Sequence, residues 1–469
     1  MPRDGIIDTP PPEGDLPSRA SALALLGGTA LTVIDLLTGA HAAALAALGL
    51  VLLHVLLRWR ILRTNARSML GLAAVLATGF AATGGTREEL ALAASRALYL
   101  PALLAVMTLL RVAARRSARL GVAARCVTDQ PPGRRFALLA AGAHLFGILL
   151  NVGGFQLLLR TALEQRAGGD GPAARIRSRR ITAAVMCGFG ATLMWSPLGV
   201  AMNLLIPVMP ELDWLDFAPF GLAMVAGFVG LGWLFDRAGP RPRSQPRQAP
   251  PPGAAGALLS LVLLLLAITG SAALCERLLG VPIRAAVLLV IPPAALVWVL
   301  ITEPGPGRRN LASVSAAAFR ALPESVNEIC LIGATGFLGL IVAAALPADA
   351  VRGVVSWLGL GPGPLSALVV AGMVLASLAG LSPMISGTAL AGAIVGAGID
   401  MPQPMLMVAT LTGWTGAMML SPVTATVAIA AAATGQSAAT VGLRWNGRFT
   451  FTYVALLVLI LLAWGTLLP

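Results

Sequence analysis

Ser196-Pro197 and Ser421-Pro422 close two stretches that read as copies of one another, Gly188-Phe-Gly-Ala-Thr-Leu-Met-Trp-Ser-Pro197 and Gly413-Trp-Thr-Gly-Ala-Met-Met-Leu-Ser-Pro422. In ungapped register they share Gly188/Gly413, Met194/Met419, Ser196/Ser421 and Pro197/Pro422, and an aromatic follows each first glycine. Both lie in apolar runs long enough to cross a bilayer. Proline removes a backbone donor and displaces the carbonyl one turn earlier. At membrane depth such freed groups are tolerated only against protein or a polar cavity. The chemistry this offers is coordination. Half-helix N-termini carry unpaired N–H groups and about half a positive charge, suited to a carboxylate or oxyanion, while unwound carbonyls and hydroxyls hold a cation. Paired broken helices in two related halves point to a solute-binding site.

Two polar turns in apolar surroundings supply the rest of the candidate site. Asn151, Gly153 and Gly154, with Ser196, Pro197 and Asn203, form one expected half-site. Ser382, Pro383, Ser386 and Thr388, with Ser421, Pro422, Thr424 and Thr426, form the other. Asn and Thr side chains would donate specific hydrogen bonds, glycines allow close backbone approach and prolines fix the break. For Thr426, Thr192 or Ser377 taken singly, close helix packing or a bond to their own backbone is the ordinary role. A polar turn at membrane depth needs a further reason, which favours Asn151 and the Ser-Pro pairs. His144, a turn or two before the first of these turns, is a candidate for proton coupling, although a lone histidine more often packs. Asp35, His54, Arg96, Asn327 and Glu328 near span ends, and Trp59, Trp214, Trp233 and Trp445, read as interfacial residues.

The elements that must position these residues follow from composition. Of 469 residues, 57% are hydrophobic and 11% charged, and the mean hydropathy is +0.84. This is a polytopic membrane protein. Its 33 basic residues are all arginines, a usage that fits a GC-rich bacterial genome. They crowd into short loops, so the net charge of +13 reports topology, not a nucleic-acid partner. The four cysteines are scattered, and with three histidines in the chain neither a disulfide frame nor a zinc site is indicated. No cofactor is expected beyond Na+ or H+ as coupling ion.

Loop charge places the N-terminus and the arginine clusters 58–67, 111–135, 160–180, 308–320 and 444–448 on the cytoplasmic side, and the C-terminus on the periplasmic side. The run 136–160 lies between two arginine-rich loops, so it must enter and leave on the same face, with Asn151-Val-Gly-Gly154 at its tip. The run 365–398, broken at Gly380-Leu-Ser-Pro-Met-Ile-Ser-Gly-Thr388, must open to the opposite face. The expected fold is therefore all-α, with about eleven transmembrane helices, two re-entrant hairpins and two broken helices in an inverted repeat. Its parts are an uncleaved cytoplasmic tail 1–18 and scaffold helices 19–87. A first repeat 88–235 holds a helix, the inner hairpin 136–160, the broken helix 181–209 and a helix. A Pro/Arg linker 236–254 and scaffold helices with a connector 255–324 precede the second repeat 325–469, which holds a helix, the outer hairpin 365–398, the broken helix 404–433 and a helix.

This layout resembles the ion transporter superfamily, most closely the divalent anion/sodium symporters. Those proteins have eleven helices, N-terminus in and C-terminus out, an inner hairpin before helix 5 and an outer hairpin before helix 10. The resemblance implies alternating access, a small anionic substrate and a homodimer in the inner membrane. The symporters carry Ser-Asn-Thr at the hairpin tips, where this chain has Asn151-Val-Gly-Gly and Ser382-Pro-Met-Ile-Ser-Gly-Thr. The large membrane subunit of tripartite periplasmic transporters, lactate permeases and arsenite exporters share the superfamily.

Three function classes stand side by side. The first is secondary active transport of a small organic anion by alternating access. The second is the membrane subunit of a multi-component system that needs a periplasmic binding protein. The third is a channel or a membrane-embedded enzyme. Cation exchange calls for buried carboxylates, and the expected hairpins and broken helices contain none. An enzyme needs converging His, Asp, Glu or Cys at the midplane, and a channel does not require two breaks of opposite sense.

Overall fold

A computed structural model of the chain describes residues 16–128, 130, 134–166, 171–240 and 252–467, and its regular structure over these residues is helical. The expected tail up to Asp15 and most of the Pro/Arg linker lie outside the described residues.

The chain opens with paired helices α1 Leu16–Thr38 and α2 His41–Leu57, joined where His54 Nδ1 meets Ser21 Oγ at 2.9 Å. Next come α3 Thr64–Ala82 and α4 Arg87–Arg116, the latter started by a reciprocal cap between Thr86 and Glu89. The segment read as an arginine-rich loop contains a further helix, α5 Ala118–Thr128. It buries Leu120, Ala123, Ala124 and Val127 and turns its arginines outward, an amphipathic pattern that the surrounding charge masks in the sequence. The first hairpin is α6 Arg135–Leu150 and α7 Val152–Arg166, and the first broken helix is α8 Pro172–Ala191 with α9 Val200–Leu205. Helix α10 is Trp214–Ala238.

Beyond the linker lie α11 Ala254–Leu279, α12 Ile283–Thr302, the surface helix α13 Gly307–Ala321 and α14 Val326–Ala345. A short amphipathic helix, α15 Ala348–Trp357, precedes the second hairpin, α16 Pro362–Leu378 and α17 Pro383–Gly396. The second broken helix is α18 Gln403–Leu420 with α19 Ala425–Thr434. A π-helical turn Thr440–Trp445 leads into α20 Gly447–Thr466. The element order α4 to α10 thus recurs as α14 to α20, with α5 answering α15.

Eight helical stretches among the described residues are long and apolar enough to cross a membrane, or nine if α15 and α16, bent by 111°, form one span. The chain is a multi-pass membrane protein. The eight fall short of the eleven expected for identifiable reasons. Helix α2 has only 17 residues, α3 opens on Thr64, Asn65 and Arg67, and α8 carries Arg175, Arg177, Arg179 and Arg180 in its first turns. Those arginines are also why α8 begins well before the expected 181, since a long guanidinium stem can follow a helix to the interface. Helix α7 likewise runs on past 160 and takes in Glu164, a carboxylate far from the hairpin tip.

Helices α4 and α14 pack on each other, with α12 against α4 and α3 against α14. Around α2, α3 and α14, Val55, Ala66, Val326 and Cys330 form a small apolar cluster, and Ala73, Ala334 and Leu338 form another that includes Ile385 of α17. The larger core runs through the hairpins and broken helices and takes in α11, α12 and much of α4.

Candidate functional site

Pro197 ends α8 in a 3-10 turn, Thr192–Met194, and leaves the carbonyls of the break without helical partners. Asn203, 3% exposed, replaces them. Its Nδ2 donates to Pro197 O at 2.7 Å and to Gly199 O at 2.8 Å, and its Oδ1 takes no bond from any described residue. Ser196 is buried, and its Oγ accepts from Leu198 N at 3.3 Å. Trp195 braces the break from outside, donating Nε1–H to His144 Nε2 at 2.9 Å, while Trp214 Nε1–H donates to Trp195 O at 2.7 Å. His144 Nδ1 lies 3.3 Å from Gly188 O. With one ring nitrogen accepting and the other facing a carbonyl, His144 fits the neutral Nδ1–H tautomer, and a second proton would have to dislodge Trp195. That geometry suits a brace.

The second break repeats the solution with a hydroxyl. Thr424 Oγ1 donates to Ser421 O at 2.9 Å and lies 3.1 Å from Met418 O, the carbonyls freed at Pro422. Ser421 Oγ donates to Ser377 O at 2.6 Å in the last turn of α16, tying break to hairpin. Ser377 Oγ is itself buried and has no partner among the described residues. Thr426 is buried in the first turn of α19.

The hairpin tips turn in different ways. Asn151 has φ 54° and ψ −140°, and among the described residues no other non-glycine has positive φ. Its N–H donates to Gly147 O at 2.9 Å and its carbonyl accepts from Gly154 N at 3.0 Å. A Cβ on Gly154 would lie 2.1 Å from Phe146 O, so the two arms meet there only through glycine. At the second tip Gly380, at φ 107°, stops α16, and Leu381 N–H reaches back to Ala376 O at 2.9 Å. Ser382 then caps Met384 N at 3.3 Å ahead of Pro383, a standard helix start. Ser386 and Thr388 turn their hydroxyls onto their own helix, at Ser382 O (3.5 Å) and Met384 O (2.7 Å). Thr388 also lies against Gly339 of α14, so its immediate work is packing.

The shared glycines of the two copies have one job. A Cβ on Gly188 would sit 2.0 Å from Ala140 O of α6, and one on Gly413 would sit 2.9 Å from Met373 Cβ of α16. Each lets a hairpin's first arm lie close on its own broken helix. The second arms cross over, α7 packing on α19 and α17 on α9. Gly190 meets Met418 and Met419 where the broken helices pass each other. The expected half-sites are therefore interleaved, with each hairpin lying between its own broken helix and the resumed half of the other. Gly188→Ala is expected to destabilise the protein by about 1–3 kcal/mol, the usual range for overpacking. This would appear as a lower melting temperature in detergent. Gly227→Ala is the neutral comparison, since its added Cβ meets nothing within 4 Å.

Other polar residues noted in the sequence join helices away from the breaks. Asp35 accepts from Ser95 Oγ at 2.7 Å, Glu328 pairs with Arg111 at 3.1 Å, and Asn327 Oδ1 accepts from Arg63 N at 2.7 Å. Three residues at the breaks and tips lay outside the sequence reading of the site, namely Trp195, Ser377 in its contact with Ser421, and Arg115. The guanidinium of Arg115 would lie 3.0 Å from a Cβ on Gly153. Trp195 had a signal, its place just before Ser196-Pro197, whereas the approaches of Arg115 and Ser377 are purely tertiary.

No family model matches the chain, and no curated protein matches it. Among solved structures it is similar to the Alcanivorax borkumensis YdaH transporter, described as having an unusual topology. The two are 16% identical, the match covers 77% of this chain and 84% of that one, and the TM-score is 0.47.

Proposed function

We propose that this protein is a secondary active transporter that moves a small organic anion, a carboxylate, across the bacterial inner membrane by alternating access, coupled to Na+ or H+. The observation that carries the reading is the pair of buried breaks, each with its freed carbonyls held by a side chain (Asn203, Thr424) and each flanked by hairpin arms from both halves. A break kept in this form is a costly feature that binding explains and packing alone does not.

In this reading the eleven crossings are α1 to α4, α8/α9, α10 to α12, α14, α18/α19 and α20, with the hairpins entering from opposite faces. The N-terminus of α7 behind Asn151 and that of α19 behind Thr424 offer N–H groups to the anion. Asn151, Asn203 and Ser382 supply the directional bonds, and carbonyls and hydroxyls near Ser196, Ser421 and Ser377 hold the cation. The bundle of hairpins and broken helices moves against the frame of α3, α4, α12 and α14.

Uptake into proteoliposomes of labelled mono-, di- and tricarboxylates under imposed Na+ or H+ gradients is the test. Saturable uptake of one class, dependent on one gradient, is the expected result. Ohmic, non-saturating flux would make the protein a channel. Absence of uptake under every gradient would overturn uptake by the chain alone in favour of an exporter or of a system that needs a binding protein.

A further inference from the structure

We propose that a cleft at the arginine-rich end of the bundle binds the phosphodiester headgroup of an anionic, hydroxyl-bearing phospholipid. The cleft, of about 360 Å³, lies between the first turns of α6 and α8, the end of α10 and the start of α20. Its charge is unevenly spent. Arg180 is held by Asp236 through paired bonds of 2.7 and 2.6 Å, which neutralises the acid of the lining. Arg179 and Arg448 also line the cleft and are exposed, and their guanidiniums make no hydrogen bond or ion pair among the described residues. Two unpaired guanidiniums over a cleft whose one carboxylate is already matched make a receptor for a phosphate.

A second, independent feature is Asn446, which lines the same cleft and is 1% exposed. Its Nδ2 donates to Val441 O at 2.8 Å and lies 3.4 Å from Met186 Sδ, but its Oδ1 is buried without a partner among the described residues. A buried acceptor left open costs free energy until a donor reaches it, and a headgroup hydroxyl is such a donor. The π-helical turn Thr440–Trp445 directly before Asn446 sets this geometry, and such turns gather at functional sites.

The remaining walls decide for a lipid over a soluble phosphate. Phe235 and Phe449 are apolar surfaces suited to a glycerol backbone and acyl chain, and Trp445 has the amphipathic ring found at membrane interfaces. Basic pockets between helices at a cytoplasmic interface are a recurrent setting for anionic headgroups. Phosphatidylglycerol supplies both the net negative charge and the hydroxyl donors. Phosphatidylcholine supplies neither.

The test is native mass spectrometry and thermal shift on the full chain in detergent, with phosphatidylglycerol, phosphatidylcholine and soluble glycerol 3-phosphate as the three probes. Phosphatidylglycerol is expected to bind about tenfold or more tightly than phosphatidylcholine and to raise the melting temperature. Arg179→Gln combined with Arg448→Gln is expected to reduce it to the phosphatidylcholine level. Both arginines are exposed and unpaired, so the double variant is expected to elute as wild type from size exclusion. Arg60→Gln with Arg63→Gln, on another loop, is expected to change nothing. Equal binding of the two lipids, retention of phosphatidylglycerol by the double variant, or glycerol 3-phosphate binding as tightly as the lipid would each overturn the assignment. These readouts do not depend on the transport reading.

Discussion

Asn151→Gly is expected to make the protein more stable and to cut uptake by one to two orders of magnitude. At φ 54° and ψ −140° the Asn151 backbone lies where side chains are strained, a cost of order 1–3 kcal/mol that glycine does not bear. The bonds that shape the tip, to Gly147 O and from Gly154 N, use the backbone and survive the change. What is lost is the carboxamide. If it bonds a charged substrate, its removal costs about 1.5–3 kcal/mol, roughly 10- to 150-fold in uptake at subsaturating anion. Asn151→Ala loses the amide and keeps the strain, so it is expected to be as inactive as the glycine variant and less stable than it. Melting temperature in detergent and uptake in proteoliposomes read the two effects separately. A glycine variant that transports normally would show that Asn151 is there for its turn alone.

The same residue shows what kind of information the sequence held. Asn151-Val-Gly-Gly was legible as a hairpin tip because polar, flexible residues between apolar runs have few other uses, and loop charge left no other path for the chain. The two Ser-Pro breaks were legible because they repeat. Their shared glycines were legible as a pattern but not as a cause, which is a close approach of Gly188 to Ala140 and of Gly413 to Met373. Helix α5 was hidden by its arginines, which mask the apolar side it buries. The crossing of α7 onto α19 and of α17 onto α9 could not be read at all, since nothing local encodes which half a hairpin will touch. For the same reason chain proximity groups Thr388 with the site, whereas across the interface it lies against Gly339. Hydroxyls in membrane helices so often bond their own turn that side-chain type alone does not separate ligand from packing.

That contact sets up the second large effect. A disulfide made by combining Gly339→Cys with Thr388→Cys is expected to stop uptake almost completely, and reduction is expected to restore it. Gly339 belongs to the frame and Thr388 to the hairpin that moves past it in the proposed mechanism. A Cβ on Gly339 lies 2.9 Å from Thr388 Cβ, somewhat closer than the ~3.8 Å typical of a disulfide, so the helices need to part by about 1 Å. The Thr388 hydroxyl lies nearest the added Cβ, and in the double variant the sulfur that takes its place bonds to the partner sulfur. The native Cys126, Cys187, Cys275 and Cys330 are unpaired and can be replaced beforehand. In the linked state a third cysteine introduced by Asn151→Cys is expected to react with a membrane-impermeant thiol reagent from the cytoplasmic side only. Reaction from the other side would reverse the assigned orientation. Undiminished uptake through the linked protein would mean that α17 and α14 do not slide, and with that the moving-bundle mechanism would fall even if the anion site stood.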